Sequence, residues 1–188
     1  MRPDTPHDVP PPTGGTRLPP APVRATVEHA GTATSYLRFG RGPVVLFLGG
    51  GSLSPHAGSL VAALAADFRV IVPESVSIRA TVTRHEGPDT AFAWWLRGVL
   101  DGLGIVRARF VAEAALAHDV LRFVECNPER AECLALVGYD RSAAAACDRL
   151  PAMPSPTLAV GESDVGVAEV LRFLAASSSA AASGGLPA

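Results

Sequence analysis

The 188-residue sequence contains no lysine, few aromatic residues and little charge. All sixteen basic side chains are arginine, aromatic residues make up 6% and charged residues 18% of the chain, and the net charge is −2 at pH 7. Because the arginines are scattered, the composition predicts no nucleic-acid partner. No apolar run approaches the length of a membrane span, so we also expect no membrane partner. The first residues lack the apolar stretch of a signal peptide, which favours a cytoplasmic protein.

Cysteine is also scarce. Cys126, Cys133 and Cys147 have no metal-binding spacing, and an odd number does not suit a disulfide framework. The pattern indicates small apolar residues in a reducing compartment. The "GGGS" segment lacks the lysine and the spacing of a phosphate-binding loop. We therefore predict no cofactor and no metal.

Hydrophobic residues, in contrast, make up 48% of the chain, and the mean hydropathy is +0.25. This length and composition suit one domain with a sizeable core. Residues 1–23 are rich in proline and predict a disordered arm. Residues 177–188 are of low complexity and predict a flexible tail. The folded domain is expected over residues 24–176.

Strand and helix patterns alternate through this domain. "RATVEHAG" and "TATSYLRFG" meet at Gly31 and predict an antiparallel hairpin. "PVVLFLGGG", "FRVIVPES" and "CLALVG" are continuous apolar runs, which are typical of strands buried on both faces. "DTAFAWWLRGVLDGLG" has a candidate N-cap at Asp89 and a glycine stop at Gly104, and therefore predicts a helix. The fold class is α/β, with a mostly parallel, doubly wound sheet of about seven strands.

In this order, the segments resemble the α/β-hydrolase superfamily over roughly residues 24–174. "YLRFGRGPVVLFLGGG" is similar to the family's second and third strands with the oxyanion loop, and "PTLAVGESD" to the strand before the catalytic acid. "LRFVECNPERAECLALVG" resembles the helix after the nucleophile and the sixth strand, with Asn-Pro-Glu-Arg where the family often has His-Pro-Glu-Arg. The resemblance implies an α/β-hydrolase fold. We expect no cap domain in this chain, because "YDRSAAAACDRLPAMPSP", the segment at the family's cap position, is too short to form one.

The resemblance also implies a catalytic triad, of which this chain keeps one member. The predicted strand at 109–112 turns into a helix from about Ala115 to Cys126, and the family's Gly-x-Ser-x-Gly falls on residues 112–116. The nucleophile position is then Ala114. The acid matches Asp164, but the last histidine in the sequence is His118, so no base follows the acid. A triad needs a hydroxyl, a base and an orienting acid.

Leu116 stands where the nucleophile turn requires a small residue, so we expect a relaxed turn. Backbone N–H donors survive the loss of a nucleophile. The candidate ligand-binding residues include three donors in the oxyanion loop, one donor after the vacant position and one side chain a turn further on: Gly49, Gly50, Gly51, Ala115 and His118. The alternative for the glycines is a tight turn that needs them for its dihedral angles.

Three functional interpretations stay open. The first is a protein without serine-hydrolase activity that binds a small acyl or carboxylate ligand, or a partner protein. The second is a genuine hydrolase or lyase acting on a small ester or acyl substrate with a displaced constellation of His118, Asp164 and Glu113. The third is a relic without a function.

The strand "PTLAVG" also bears on association. The sequence after Asp164 passes almost directly into the last helix, so we expect no eighth strand and an exposed edge at this strand. Leu158, Ala159 and Val160 carry no protecting charge, and uncharged edges invite pairing with another chain. We therefore predict a homodimer or a partner complex.

Overall fold

The computed structural model describes residues 21–29, 31–49, 55–74, 88–138, 154–161 and 164–183. Within them the chain forms one seven-stranded sheet with the strand order β1-β2-β4-β3-β5-β6-β7. The strands are β1 (Val23–His29), β2 (Thr32–Phe39), β3 (Val44–Leu48), β4 (Arg69–Pro73), β5 (Ala108–Glu113), β6 (Ala131–Val137) and β7 (Thr157–Val160). The predicted α/β class and strand number are confirmed.

The amino-terminal strands form the predicted hairpin. β1 and β2 pair antiparallel from His29–Thr32 to Val23–Arg38, and Gly31 adopts φ +75° in the connection, a conformation that glycine reaches without steric cost. β2 then pairs antiparallel with β4, and every later pair is parallel. The parallel strands are apolar and almost wholly buried, because helices cover both faces of this part of the sheet.

In the described part of the chain, four α-helices accompany the sheet: α1 (Pro55–Leu64), α2 (Pro88–Gly102), α3 (Ala117–Cys126) and α4 (Asp164–Ser183). Short 3-10 helices, Ala114–Leu116 and Pro128–Arg130, precede α3 and β6. The helix expected from about Ala115 therefore begins as a 3-10 turn and becomes α-helical at Ala117.

The predicted division of the chain into an arm, a domain and a tail stays a prediction. Most of the arm and the last five residues of the tail lie outside the described residues. β1 begins at Val23, the last residue of the predicted arm, and α4 continues to Ser183, past the expected domain boundary at residue 176.

The core consists of two apolar layers, one on each face of the sheet. α2 and α3 pack on one face, where Trp95, Leu96 and Phe123 are completely buried. α1 and α4 pack on the other, where Leu60, Leu64 and Leu174 are buried. This arrangement follows from the right-handed crossover rule, because β3-α1-β4 moves towards the hairpin while β4-α2-β5 and β5-α3-β6 move away from it.

The position of α4 on the α1 face limits how the sheet can grow. A right-handed crossover on that face leads towards the hairpin, as α1 shows, and not to a strand beyond β7. Within the described residues β7 is therefore a sheet edge, as the sequence predicts, and α4 does not lead to a neighbour for it.

α2 approaches the hairpin through two glycines. A Cβ atom at Gly98 would lie 2.7 Å from Cδ2 of His29, and one at Gly102 would lie 2.5 Å from Cγ2 of Val27. Between the glycines and the helix start, Trp95 is buried and donates from Nε1 to Oγ1 of Thr34 at 3.0 Å, while Trp94 is half-buried. One buried and one more exposed tryptophan is what an adjacent pair on an amphipathic helix predicts.

Polar side chains cross-link the loops at the amino ends of β5 and β6. Arg130 lies 2.5 Å from Oδ1 of Asp101 and also donates to the carbonyl of Ile105 at 3.2 Å. Asn127, only 3% exposed, donates to the carbonyl of Phe123 at 2.8 Å and accepts from Arg97 at 2.5 Å. The Asn-Pro-Glu-Arg segment thus closes α3 and ties it to α2.

A buried ion pair lies at the same end of the sheet. Arg109 is 4% exposed, and its Nη2 lies 2.7 Å from Oε2 of Glu132 on the neighbouring strand. The guanidinium also lies over the ring of Phe68, 5.9 Å from the centroid. Among the described residues, neither Arg109 Nε nor Glu132 Oε2 has a hydrogen-bond partner, so the pair is joined by the attraction of its charges and not by an aligned hydrogen bond, with the aromatic ring as a further contact of the cation.

Candidate functional site

The sheet has a topological switch point between β3 and β5. From β3 the chain crosses by α1 towards the hairpin, whereas from β5 it crosses by α3 in the opposite direction and on the opposite face. The connections therefore separate beyond the carboxyl ends of these two strands, at the position where open α/β sheets usually bind their ligands, and we call this position the crevice. Leu48 pairs with Ala112, so the residues that follow, Gly49 and Glu113, lie side by side at this crevice.

The turn after β5 carries no nucleophilic side chain. Glu113 is extended (φ −70°, ψ 154°), and the next three residues form the 3-10 turn, closed by the bond from the Ala117 N–H to the Ala114 carbonyl. Ala114 and Ala115 are exposed. A helical turn places the residue after the strand in relaxed right-handed backbone, unlike the strained turn that aims a nucleophile.

Leu116 has a different effect from the one its position suggests. Its side chain is partly buried against the core layer of α2 and α3. The leucine is thus accommodated by packing inwards, and this contact holds the 3-10 turn against the core.

The carboxylate of Glu113 lies against the start of the glycine segment. A Cβ atom at Gly49 would come within 2.5 Å of Oε2 of Glu113 and 3.3 Å of its Cδ. The absence of a side chain at Gly49 is therefore what gives the carboxylate its place. Side chains alternate along a strand, so Glu113 lies on the α1 face, together with Arg109 and Val111 of β5.

The other predicted site residues have no hydrogen bond or ion pair with Glu113 or Gly49 among the described residues. Gly50 and Gly51 lie outside the described residues. His118 is exposed in the first turn of α3. Asp164 is the first residue of α4, and its backbone lies beyond the carboxyl end of β7, but its side chain is outside the described part. Within the described residues no hydrogen bond or ion pair joins His118 to Glu113, so the displaced constellation stays a hypothesis.

A small concavity between the hairpin and α2 was not expected from the sequence. His29 and Trp94 form part of its wall and meet edge to face, with ring centroids 6.2 Å apart. The sequence does place two glycines and two tryptophans on one helix. These residues form a concavity only because β1 packs against them, and this packing is not visible in the sequence. The volume of about 10 Å³ accommodates one water molecule at most.

No three His, Cys, Asp or Glu side chains within the described ranges could hold a metal ion together. The described helices include none with the length and hydrophobicity of a membrane span.

Burial raises the pKa of the Cys133 thiol, and a hydrogen bond with Ser177 and the charge of Arg109 oppose this rise. Cys133 is completely buried in β6, so it is a core residue and not part of the crevice.

Solved structures share this architecture at low sequence identity. Naproxen esterase from Bacillus subtilis superimposes with a TM-score of 0.53 at 18% identity, covering 63% of this chain and 43% of the esterase. Carboxylesterase CesB from Bacillus subtilis gives 0.51 at 20% identity, with 63% and 43% covered. Epoxide hydrolase A from Mycobacterium thermoresistibile gives 0.51 at 22% identity, with 63% and 39% covered.

The matched region thus spans less than half of each of these enzymes. No protein-family model matches the sequence, and no curated protein matches it. Strand order, hairpin, switch point and the solved structures agree with the resemblance in the sequence: this chain has the α/β-hydrolase fold.

Proposed function

We propose that this chain uses the α/β-hydrolase fold for binding and not for serine-type hydrolysis, with a small acyl or carboxyl-bearing molecule as its ligand. The observation that carries the proposal is the turn after β5. Its exposed residues are Ala114 and Ala115, in a relaxed 3-10 turn at the switch point. An alanine offers neither a hydroxyl to attack a carbonyl nor a proton for a base to remove.

Loss of the nucleophile removes most of the activity of a triad enzyme. In such enzymes removal of the serine lowers kcat by about a millionfold, and the remainder comes from binding and the oxyanion hole. These remaining elements are backbone groups, which an alanine retains. The crevice between β3 and β5 therefore supports binding without supporting turnover.

A second proposal concerns association, and the edge at β7 supports it. Thr157–Val160 carries no charged residue, and α4 does not lead to a strand beside it. A free edge of this kind accepts a strand from another chain. We propose a second copy of the chain as the partner, in the cytoplasm as the composition favours.

The first proposal is tested by hydrolysis of p-nitrophenyl butyrate by the full chain and by Ala114→Ser. We expect neither protein to exceed a heat-unfolded control, because a serine in the relaxed turn is neither aimed nor deprotonated. Ala115→Ser, at the adjacent exposed alanine, is the matched control. Burst kinetics or an acyl adduct at residue 114 alone would show that the turn still works as a nucleophile site, and saturable turnover by the unmodified chain would overturn the proposal.

Binding is tested separately from turnover. Esters, amides and carboxylates with the same acyl chain are added to the full chain, and the melting temperature is followed. A ligand that binds only the folded state raises this temperature, because at a hundredfold excess over Kd it adds about 2.7 kcal/mol to the free energy of unfolding. If no compound shifts the melting temperature, the proposal that this chain binds acyl or carboxyl-bearing ligands is wrong.

A further inference from the structure

The two edges of the sheet differ in charge. β1, the edge strand of the hairpin, exposes Arg24 and Glu28, and charged side chains on an edge oppose pairing with another chain. β7, the other edge among the described residues, carries no charged side chain. β7 is therefore the edge at which a further strand can join the sheet.

The backbone of β7 offers hydrogen-bonding groups that complement a second copy of the same strand. The Pro156 carbonyl accepts from the N–H of Leu134, so Pro156 and Leu158 direct their backbone groups towards β6. Because this direction alternates along a strand, Thr157 and Ala159 each direct one N–H and one C=O to the free side. In an antiparallel pair centred on Leu158, Thr157 of each copy exchanges both bonds with Ala159 of the other. A two-fold axis at Leu158 thus satisfies all of these groups.

α4 lies along the same edge. Near its start, a Cβ atom on Gly166 would be 3.5 Å from Cβ of Val160 in β7, and near its other end Ser177 hydrogen-bonds Cys133 in β6. The middle of α4 therefore lies between these two strands. Neighbouring strands are about 4.8 Å apart, so joining two sheets at β7 would place the middles of the two α4 helices about 10 Å apart. Packed helices are separated by about 8–10 Å, so the same axis brings the two helices into contact.

The side of α4 nearest the edge carries an apolar residue and a pair of opposite charges. Glu169 and Phe173 follow Gly166 at the i+3 and i+7 positions, so they share the side of the helix that contacts β7. Phe173 and Leu158 are only partly buried against the core layer of this face. Arg172, at the i+3 position from Glu169, is exposed. This side of α4 thus offers both apolar area and charge to a partner.

The two charges lie level with the proposed axis. Leu158 precedes Val160 by two residues, which is about 6.6 Å along β7. α4 runs antiparallel to β7, so this distance corresponds to about four residues of helix after Gly166. The axis through Leu158 therefore passes α4 between Glu169 and Arg172. Two antiparallel α4 helices then place Glu169 of each copy beside Arg172 of the other.

We propose that two copies of this chain join at β7 about a two-fold axis through Leu158, and that the two α4 helices form the second part of the interface through reciprocal Glu169–Arg172 pairs. This inference rests on the proposed association and goes beyond it, because it assigns the symmetry, the strand register and a helix contact. A strand of another protein would also satisfy the edge of β7. Only a second copy, however, brings an α4 whose charges complement those of the first.

Reversal of single charges on α4 tests this arrangement. In Glu169→Arg and in Arg172→Glu, the two α4 helices of a homodimer repel each other, whereas a mixture of the two variants again pairs opposite charges. By sedimentation equilibrium, we expect each variant alone to dimerise about tenfold more weakly than the unmodified chain, and the mixture to form a heterodimer with the affinity restored. Glu28→Arg, on the exposed face of the β1 edge, is the matched control and should leave dimerisation unchanged.

Leu158→Cys provides a second readout, of the strand register. Residues directly opposite each other in a non-hydrogen-bonded antiparallel pair have Cα atoms about 4.5 Å apart, within the range of a disulfide. Mild oxidation should therefore link two Leu158→Cys chains. Thr157→Cys is the control, because the same register places its two copies diagonally, about 7–8 Å apart. The unmodified chain, in which Cys126 is exposed, shows whether native thiols form links of their own.

The outcomes separate this arrangement from the association on which it rests. A dimer that Thr157→Lys dissociates, but that the charge reversals leave intact and Leu158→Cys does not link, would overturn the arrangement and leave association at the β7 edge standing. Weaker homodimers without recovery in the mixture would overturn the reciprocal charge pairs. An unmodified chain that stays monomeric at micromolar concentration would overturn both the arrangement and the association.

Discussion

At the amino ends of β5 and β6, arginines are paired with acidic side chains, an asparagine or backbone carbonyls. Arg130 bonds Asp101, Arg97 bonds Asn127, and buried Arg109 faces Glu132. At the carboxyl end of β5, Ala114 and Ala115 lie exposed in a relaxed turn. Among the described residues, the amino ends of β5 and β6 thus carry polar side chains that hold the loops together, whereas the turn after β5, where this fold usually places its nucleophile, exposes alanines.

This difference explains how a nucleophile can be absent without loss of the fold. The core layers and the cross-links at the amino ends do not depend on the side chain at position 114. Mutations at the two ends should therefore have effects of different size and kind. The five predictions below test this from the largest expected effect to the smallest.

Glu132→Ala should cause the largest loss of stability. It leaves the guanidinium of Arg109 buried without its acidic partner, which costs about 3–5 kcal/mol of unfolding free energy for buried pairs, and the lower end applies because Glu132 is 22% exposed. Urea denaturation measures this loss. The double variant Arg109→Met/Glu132→Leu should recover most of it, and a single variant within about 0.5 kcal/mol of the unmodified chain would contradict a stabilising pair.

Asn127→Leu should cost about 2 kcal/mol, because Arg97 loses its acceptor and the buried Phe123 carbonyl loses a donor. Asn127→His, the residue common in the resembling family, should cost less, since imidazole can both donate and accept. Urea denaturation of both variants checks the order. If leucine is tolerated as well as histidine, Asn127 does not act as a clamp at this end.

Cys133 should make stability depend on pH in the alkaline range. Burial raises its pKa in the folded state, so above the ordinary thiol pKa of about 8.5 the unfolded chain loses a proton that the folded chain keeps. The stabilisation is complete below that pH and is lost as pH rises towards the folded-state pKa, by at most about 1.4 kcal/mol per pH unit. The measurement is the difference in unfolding free energy between the unmodified chain and Cys133→Ala from pH 8 to 10.

The same burial should protect Cys133 from alkylation. Cys126 is exposed at the end of α3 and is the internal comparison. Peptide mapping after iodoacetamide treatment of the native chain should find Cys126 modified before Cys133. Equal labelling of the two cysteines would mean that β6 opens readily, and that the amino ends of β5 and β6 are not the more stable end of the sheet.

Thr157→Lys should change association with little change in folding. Thr157 is half-buried at the start of β7, so a lysine there places a charge on the free edge, whereas Val160 is 5% exposed and a lysine there would disrupt the core. We expect light scattering at micromolar concentration to show a dimer that Thr157→Lys dissociates. A monomer in both proteins would exclude the edge as the interface.

Local patterns in the sequence were sufficient to predict much of the fold. The hairpin at Gly31, the buried parallel strands and the unequal burial of Trp94 and Trp95 follow from periodicity and turn chemistry, which act between near neighbours. The edge at β7 was predicted from the connection lengths. The structure adds a firmer reason for it, the position of α4 on the α1 face, which no local pattern encodes.

The candidate site was predicted only in outline. The relaxed turn at Ala114 followed from the residues of the turn, but the contact of Glu113 with Gly49 joins two strands that are adjacent only in the folded sheet. The buried Arg109 was counted among scattered arginines for the same reason. Its burial depends on the neighbouring strand and on Phe68, and not on its own position in the sequence.

The close contact of α2 with the hairpin has a consequence for how this chain varies during evolution. Gly98 and Gly102 leave room for His29 and Val27, and any larger residue must move a strand or a ring. Descendants of this sequence should therefore keep small residues at 98 and 102 while positions 114 and 115 drift. Conservation of the two glycines would then reflect the packing of α2 against the hairpin. The most conserved positions of this chain would lie away from the crevice.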